Sequence, residues 1–242
     1  MALIRRLVHL TCCTVFLLFT QFANANGVVV ECSESANSAL SAELKALVSE
    51  IAETTEIEVR RLLPDLPEEI LLSVTTGPNV IPEIGIGASS LAPGHIEFVV
   101  NPGHPDGAEA IVRANLRSTL FHEMHHLTRG WVISGGEPVT SFMDAVVGEG
   151  MATVFEKEFA GSNPLWGNYS DEASEWVEEL MALPLSAYDS YAQWMFYHPD
   201  GRRWIGYLTG TYLVEQVVAK TGRSSAELVR TPTHEIIELL NQ

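Results

Sequence analysis

The sequence predicts an α+β fold, with a small and mostly antiparallel sheet followed by a helical part. Three observations predict it. Apolar, β-branched runs cluster between residues 70 and 100, with turn residues between them. Beyond residue 106 the apolar positions recur at helical spacing and the breakers lie farther apart. The 242-residue chain, less an N-terminal leader, has the size of one domain with a good core.

The leader comes first. Arg5 and Arg6 precede an apolar run from Leu7 to Phe19, and Ala23-Asn24-Ala25 follows. Basic, apolar and small-x-small regions in this order predict a secretory signal peptide over 1–25, and the apolar run is too short for a good membrane span. Residues 26–242 are then expected to form a single soluble domain. Cys12 and Cys13 belong to the apolar core of the leader. Cys32 is the one cysteine left, so no intrachain disulfide is expected, and stability must come from the core or from a metal.

A helix is expected over 38–63. Leu40, Leu44, Leu47, Val48 and Ile51 mark its apolar face, and Pro64 stops it. Strands are expected over 70–76, 84–88 and 95–100, with turns at Gly77-Pro78, Ala92-Pro93-Gly94 and Asn101-Pro102-Gly103. Their short connections suggest antiparallel neighbours. The next helix runs from about 107 to 129, with Asp106 as cap, Glu109 as its capping-box partner and Gly130 as terminator. Further helices are expected over 141–159, stopping at Gly161, over 172–180, and over 204–220, ended by Gly222. Ser224 and Glu227 form a capping box, and Thr231-Pro232 opens a last helix.

The formal net charge is −17, and loss of the leader removes two positive charges more. Nucleic acid and anionic membrane surfaces attract basic proteins, so neither is an expected partner.

The chemistry concentrates in His122-Glu123-Met124-His125-His126, in a chain with eight histidines. His122 and His126 are four apart and stack on one helical face, where two imidazoles can hold one zinc ion. Glu123 lies round the helix, on the side of His126. It can reach a water at the metal without being a ligand itself. His125 is left as a neighbouring or surface residue. A catalytic zinc needs a third protein ligand and an open position. A longer three-histidine pattern is excluded, because Arg129 and Val132 stand where it needs Gly and His. Glu149 is the best candidate, in Gly148-Glu149-Gly150-Met151-Ala152 on the next helix, where small neighbours let helices approach closely. Asp144 and Glu137 are its rivals.

These stretches, with Trp204-Ile205-Gly206-Tyr207 and Gly210, resemble the secreted zinc-dependent proteases of the gluzincin clan, a largely uncharacterised family named for a domain of unknown function. The resemblance covers roughly residues 95 to 240. It implies a thermolysin-like half: a sheet, the HExxH helix, and a glutamate ligand from the following helix. The sequence departs at Thr153, where better-known gluzincins carry the Asp of Glu-x-x-x-Asp. The group that orients the histidines is therefore open.

The expected reaction is hydrolysis of a peptide or protein substrate, with Zn2+ held by His122, His126 and Glu149, and Glu123 as general base. Tyr207 is the first candidate donor to the developing oxyanion, with His198 and Tyr212 behind it. Strand 95–100 is expected, by analogy, to be the sheet edge that an extended peptide joins. Trp166, Trp176, Trp194, Phe196 and Tyr197 are candidates for a cleft wall. Two alternatives remain: a periplasmic zinc-binding protein without catalysis, and a zinc amidase acting on cell-wall peptides.

Overall fold

The computed structural model describes residues 27–33 and 40–241. The expected leader lies outside them, as does the expected start of the first helix at Ser38. No helix among the described residues is long and apolar enough to cross a membrane.

The sheet has four strands: β1 (Gly27–Cys32), β2 (Glu69–Thr76), β3 (Ile86–Ala92) and β4 (His95–Val100), in the order β1-β2-β4-β3. The α+β class holds, but the strand sense differs from expectation. β1 pairs with β2 and β2 with β4 in parallel, and only β3 runs antiparallel, against β4. Two physical facts account for the difference. The run Val28-Val29-Val30 is a strand, and the helix α1 (Ala42–Leu62) carries the chain back to start β2 in the same direction, as a parallel pair requires. The segment after β2 then bonds Ile81 N–H to Ile86 O at 2.8 Å. This leads the chain past β4's place, so that β3 forms the outer strand and hairpins back. Strand 95–100 is therefore internal, and the edge beside the helix that carries His122 and His126 is β3.

Alternation decides which face is buried. Ile70, Leu72 and Val74 of β2 and Ile96, Phe98 and Val100 of β4 are fully buried. They pack with Leu47, Val48 and Val59 of α1 and with Leu116 and Leu120 of α2 (Ala108–Arg129). Ser41 caps α1 by accepting the Leu44 N–H at 3.1 Å. Asp106 does not cap α2. The N-cap is Gly107, without a side-chain bond, and Glu109 pairs with Arg113 instead. Gly130 ends α2 in the left-handed conformation at φ 81°.

The remaining helices form a second core. They are α3 (Met143–Ala160), α4 (Ala173–Met181), α5 (Tyr191–Met195), α6 (Ile205–Thr221), α7 (Ser225–Leu228) and α8 (Thr233–Asn241). The capping box at Ser224 and Glu227 is formed. α3 joins the two cores: Phe155 packs on the sheet side, and Val146 and Met151 pack against the other helices. Gly150 meets α6, not α2 as its small size suggested. A Cβ there would lie 2.1 Å from the Gly210 carbonyl carbon, and one on Gly210 would lie 1.9 Å from Val146 O. Only glycine at both positions allows these backbones to touch, and the contact fixes α3 at the height where Glu149 faces α2.

Candidate metal centre

His122 and His126 are almost fully buried, roughly 40° apart round α2. Their Nε2 atoms are 3.0 Å from each other. Glu149 reaches across from α3, with Oε2 3.2 Å from His122 Nε2 and 3.1 Å from His126 Nε2. These three residues are the group that could hold a metal ion among the described residues. The triangle fits zinc. Donors at 2.0–2.1 Å in a tetrahedral array lie about 3.3 Å apart. The donor chemistry fits as well, because two imidazole nitrogens and a carboxylate oxygen converge where a cation relieves the repulsion of their lone pairs.

Each ligand's other atom is held, with one exception. Glu149 Oε1 accepts from Trp131 Nε1–H and from the Tyr191 hydroxyl, both at 3.2 Å. This leaves Oε2 for the histidines. His122 Nδ1 lies 3.4 Å from Glu156 Oε1, which also accepts from Trp166 Nε1–H at 3.0 Å. His126 Nδ1 has no hydrogen-bond partner. Glu156 fills the orienting role that Thr153 leaves open. It stands seven residues after Glu149, so both carboxylates lie on one stripe of α3, roughly 20° apart. Such a partner fixes the tautomer and angle of a metal-binding histidine. Replacing Glu156 by Gln is expected to weaken zinc binding by about 10- to 100-fold. A titration against a competing chelator measures this, and an unchanged affinity removes Glu156 from the role.

Electrostatics matches the geometry. Burial opposes a charged His122, but hydrogen bonds to Glu149 and Glu156 outweigh it and raise its pKa to about 10. Burial also opposes the Glu149 carboxylate, yet the two histidines hold it well below the ordinary value. In the metal-free protein a proton on His122 thus occupies the place of a cation.

Glu123 is buried beside the triangle. Its Oε2 accepts from Ser90 Oγ at 2.8 Å, and its main-chain O is 3.0 Å from the same hydroxyl. Ser90 lies on β3, so the edge strand pins the carboxylate. Tyr207 lies over His122, with ring centroids 6.4 Å apart and planes at 25°. Burial first, and the Glu149 charge next, push its hydroxyl pKa well above the ordinary value, so it remains a donor. The Tyr191 hydroxyl is raised for the same two leading reasons.

The other candidates lie elsewhere. His198 Nδ1 is 2.8 Å from Asp200 Oδ1 and its ring packs on Trp194. Tyr212 packs edge-on against Tyr169. Asp144 accepts the Thr140 and Ser141 N–H groups at the start of α3, and Glu137 is exposed next to Gly130. His125 is neither a neighbour of the ligands' free atoms nor on the surface. It is fully buried against Phe155, and burial first, then its neighbours His126 and Arg129, hold its pKa well below the ordinary value. Of the aromatic candidates, Trp166, Phe196 and Tyr197 line a cavity beside His122, while Trp176 and Trp194 pack against the helical core.

Residues 37–238 match the model of a family described as "Predicted Zn-dependent protease (DUF2268)". No curated protein and no solved structure matches.

Proposed function

Because the chain belongs to this family of predicted zinc-dependent proteases, we propose that it is an exported metallopeptidase that cuts peptide bonds in extended chains. The observation that carries this reading is a buried Glu123, held by Ser90, next to the convergent His122, His126 and Glu149. A zinc ion there would supply a Lewis acid for the scissile carbonyl and would make water easier to deprotonate. The protein's own groups do the rest. Glu123 takes the proton from the attacking water and returns it to the leaving amine. The Tyr207 hydroxyl stays protonated and stands over His122, suited to the negative charge that builds on the carbonyl oxygen.

The edge of β3 supports an extended substrate. Ile81 N–H occupies Ile86 O, and Ile133 N–H occupies Ser90 O at 3.0 Å. In an antiparallel pair alternate residues turn their N–H and C=O the same way. Ala88, midway between these two, therefore points its pair outward, where a peptide main chain can add as a strand. The leader pattern at 1–25 supports export to a periplasm or beyond.

A zinc carrier has no use for a pinned carboxylate between its ligands, and this disfavours the non-catalytic alternative. The test is a digest of mixed peptides by the zinc-loaded protein, followed by mass spectrometry. New termini that a chelator abolishes are expected. No cleavage at any zinc loading favours the carrier, and cleavage confined to cell-wall peptides favours the amidase.

A further inference from the structure

Beside His122 and Glu123 lies a cavity of about 450 Å³. Resting on the peptidase reading, we propose that it is a side-chain pocket that selects a bulky apolar residue next to the cleaved bond. One wall comes from the segment between β2 and β3, through Val80, Ile81 and Ile84. The other comes from the approach to α6, through Phe196, Tyr197 and Trp204. All six are aliphatic or aromatic side chains.

The two walls are fastened to each other. Arg203 Nη1 donates to Glu83 Oε1 at 2.7 Å across 120 residues of sequence. The Arg203 guanidinium also lies 4.8 Å from the centre of the Tyr197 ring, and its Nη2 donates to the Tyr197 hydroxyl at 3.2 Å. Trp204, next in the chain, holds φ 58°, a rare value for a large residue. Tertiary contacts must therefore set its place, and its ring packs against Phe196 and Tyr207. The cavity thus exists before a ligand enters, which spares binding the cost of ordering its walls.

Its carboxylates bear on the choice of ligand. Glu123 is engaged by Ser90, and Glu156 by His122 and Trp166. Glu97 is left. It stands on the face of β4 opposite the buried Ile96 and Phe98, is half-exposed, and lines the cavity beside Val99. An apolar side chain buries its surface against all six wall residues, whereas a cationic one gains Glu97 alone. Along an extended peptide at Ala88, alternate side chains turn to opposite faces. One of them can therefore enter the cavity while the main chain stays on the edge.

The test uses binding, so that it does not depend on turnover. The zinc-loaded protein is titrated with N-acyl amino-acid hydroxamates carrying Gly, Ala, Leu, Phe, Asp or Lys side chains, by calorimetry. Leu and Phe are expected to bind at least about tenfold more tightly than Gly. Val80→Phe, whose fold is checked by its melting curve, is expected to shift the preference from Phe towards Ala. A flat series, a preference for Lys or Asp, or no binding by any member overturns the proposal. If peptides are cut but the series is flat, the peptidase reading stands and the pocket falls. If apolar hydroxamates win but no peptide is cut, the pocket stands and the peptidase reading falls.

Discussion

Glu123→Gln is expected to keep the fold and the zinc while lowering peptide hydrolysis by about 10²- to 10⁴-fold, the range that a positioned general acid–base contributes. The substitution is nearly isosteric, and the Gln carbonyl can still accept the Ser90 hydroxyl that now bonds Oε2 at 2.8 Å. What it removes is the lone pair that takes the proton from water and the acid that returns it to the amine. The ligands are separate groups: His122, His126 and Glu149 face one another, and Glu123 lies beside them. Zinc content by mass spectrometry should therefore equal that of the parent, while the turnover number falls and KM changes little. A loss of less than about tenfold would put the base elsewhere. A loss of zinc would make Glu123 a ligand.

The two halves of this site were not equally legible in the sequence. Ligands on one helix can be read from spacing alone, because i and i+4 share a face whatever the rest of the chain does. His122 and His126 are such a pair. Glu149 was legible through its small neighbours, though for a different reason from the one inferred. Gly150 serves the contact with Gly210 of α6, and Gly148 lies under the Trp131 indole, 3.2 Å from a Cβ built there. Glu156 carries a signal too, since its spacing of seven from Glu149 keeps one stripe of α3. A search limited to the fourth residue after the ligand stops at Thr153. Ser90, Trp131 and Tyr191 carry no periodic signal. Each comes from a strand, a loop or a short helix, and meets the site only through tertiary packing.

The fold divides along the same line. Helix ends are local events, and Gly130, Gly161 and Gly222 end their helices in left-handed conformations. Strand order is not local. Alternation identified β2 and β4 and part of β3, but pairing partners depend on where connections lead. The Ile81–Ile86 bridge and the β1–α1–β2 crossover reversed the expected sense of the sheet. The edge that a substrate can join was misplaced by one strand for the same reason.

Zinc binding should tighten as the pH rises, and His126→Ala should abolish it. The parent is expected to hold about one zinc per chain by mass spectrometry, and the variant none, since two of the three donors remain. The pH dependence follows from His122, whose pKa in the metal-free fold is raised from 6.5 to about 10. A group raised in this way stabilises the metal-free fold fully below the unfolded value near 6.5. That contribution is lost as pH climbs towards 10. Zinc must displace the same proton, so its affinity moves the opposite way, gaining about tenfold per pH unit for each proton released. Between pH 6 and pH 8 the chelated protein should therefore lose stability while the zinc-loaded protein pulls ahead of it. At free zinc about a thousandfold above Kd, linkage supplies about 4 kcal/mol, or about 10 °C in melting temperature for a chain of this size. Melting curves with and without chelator at both pH values measure the gap. A gap that is constant with pH would mean that no proton is exchanged for the metal, and that the charge facing Glu149 and Glu156 is carried by some other group. A gap that persists in His126→Ala would mean that zinc sits elsewhere in the protein.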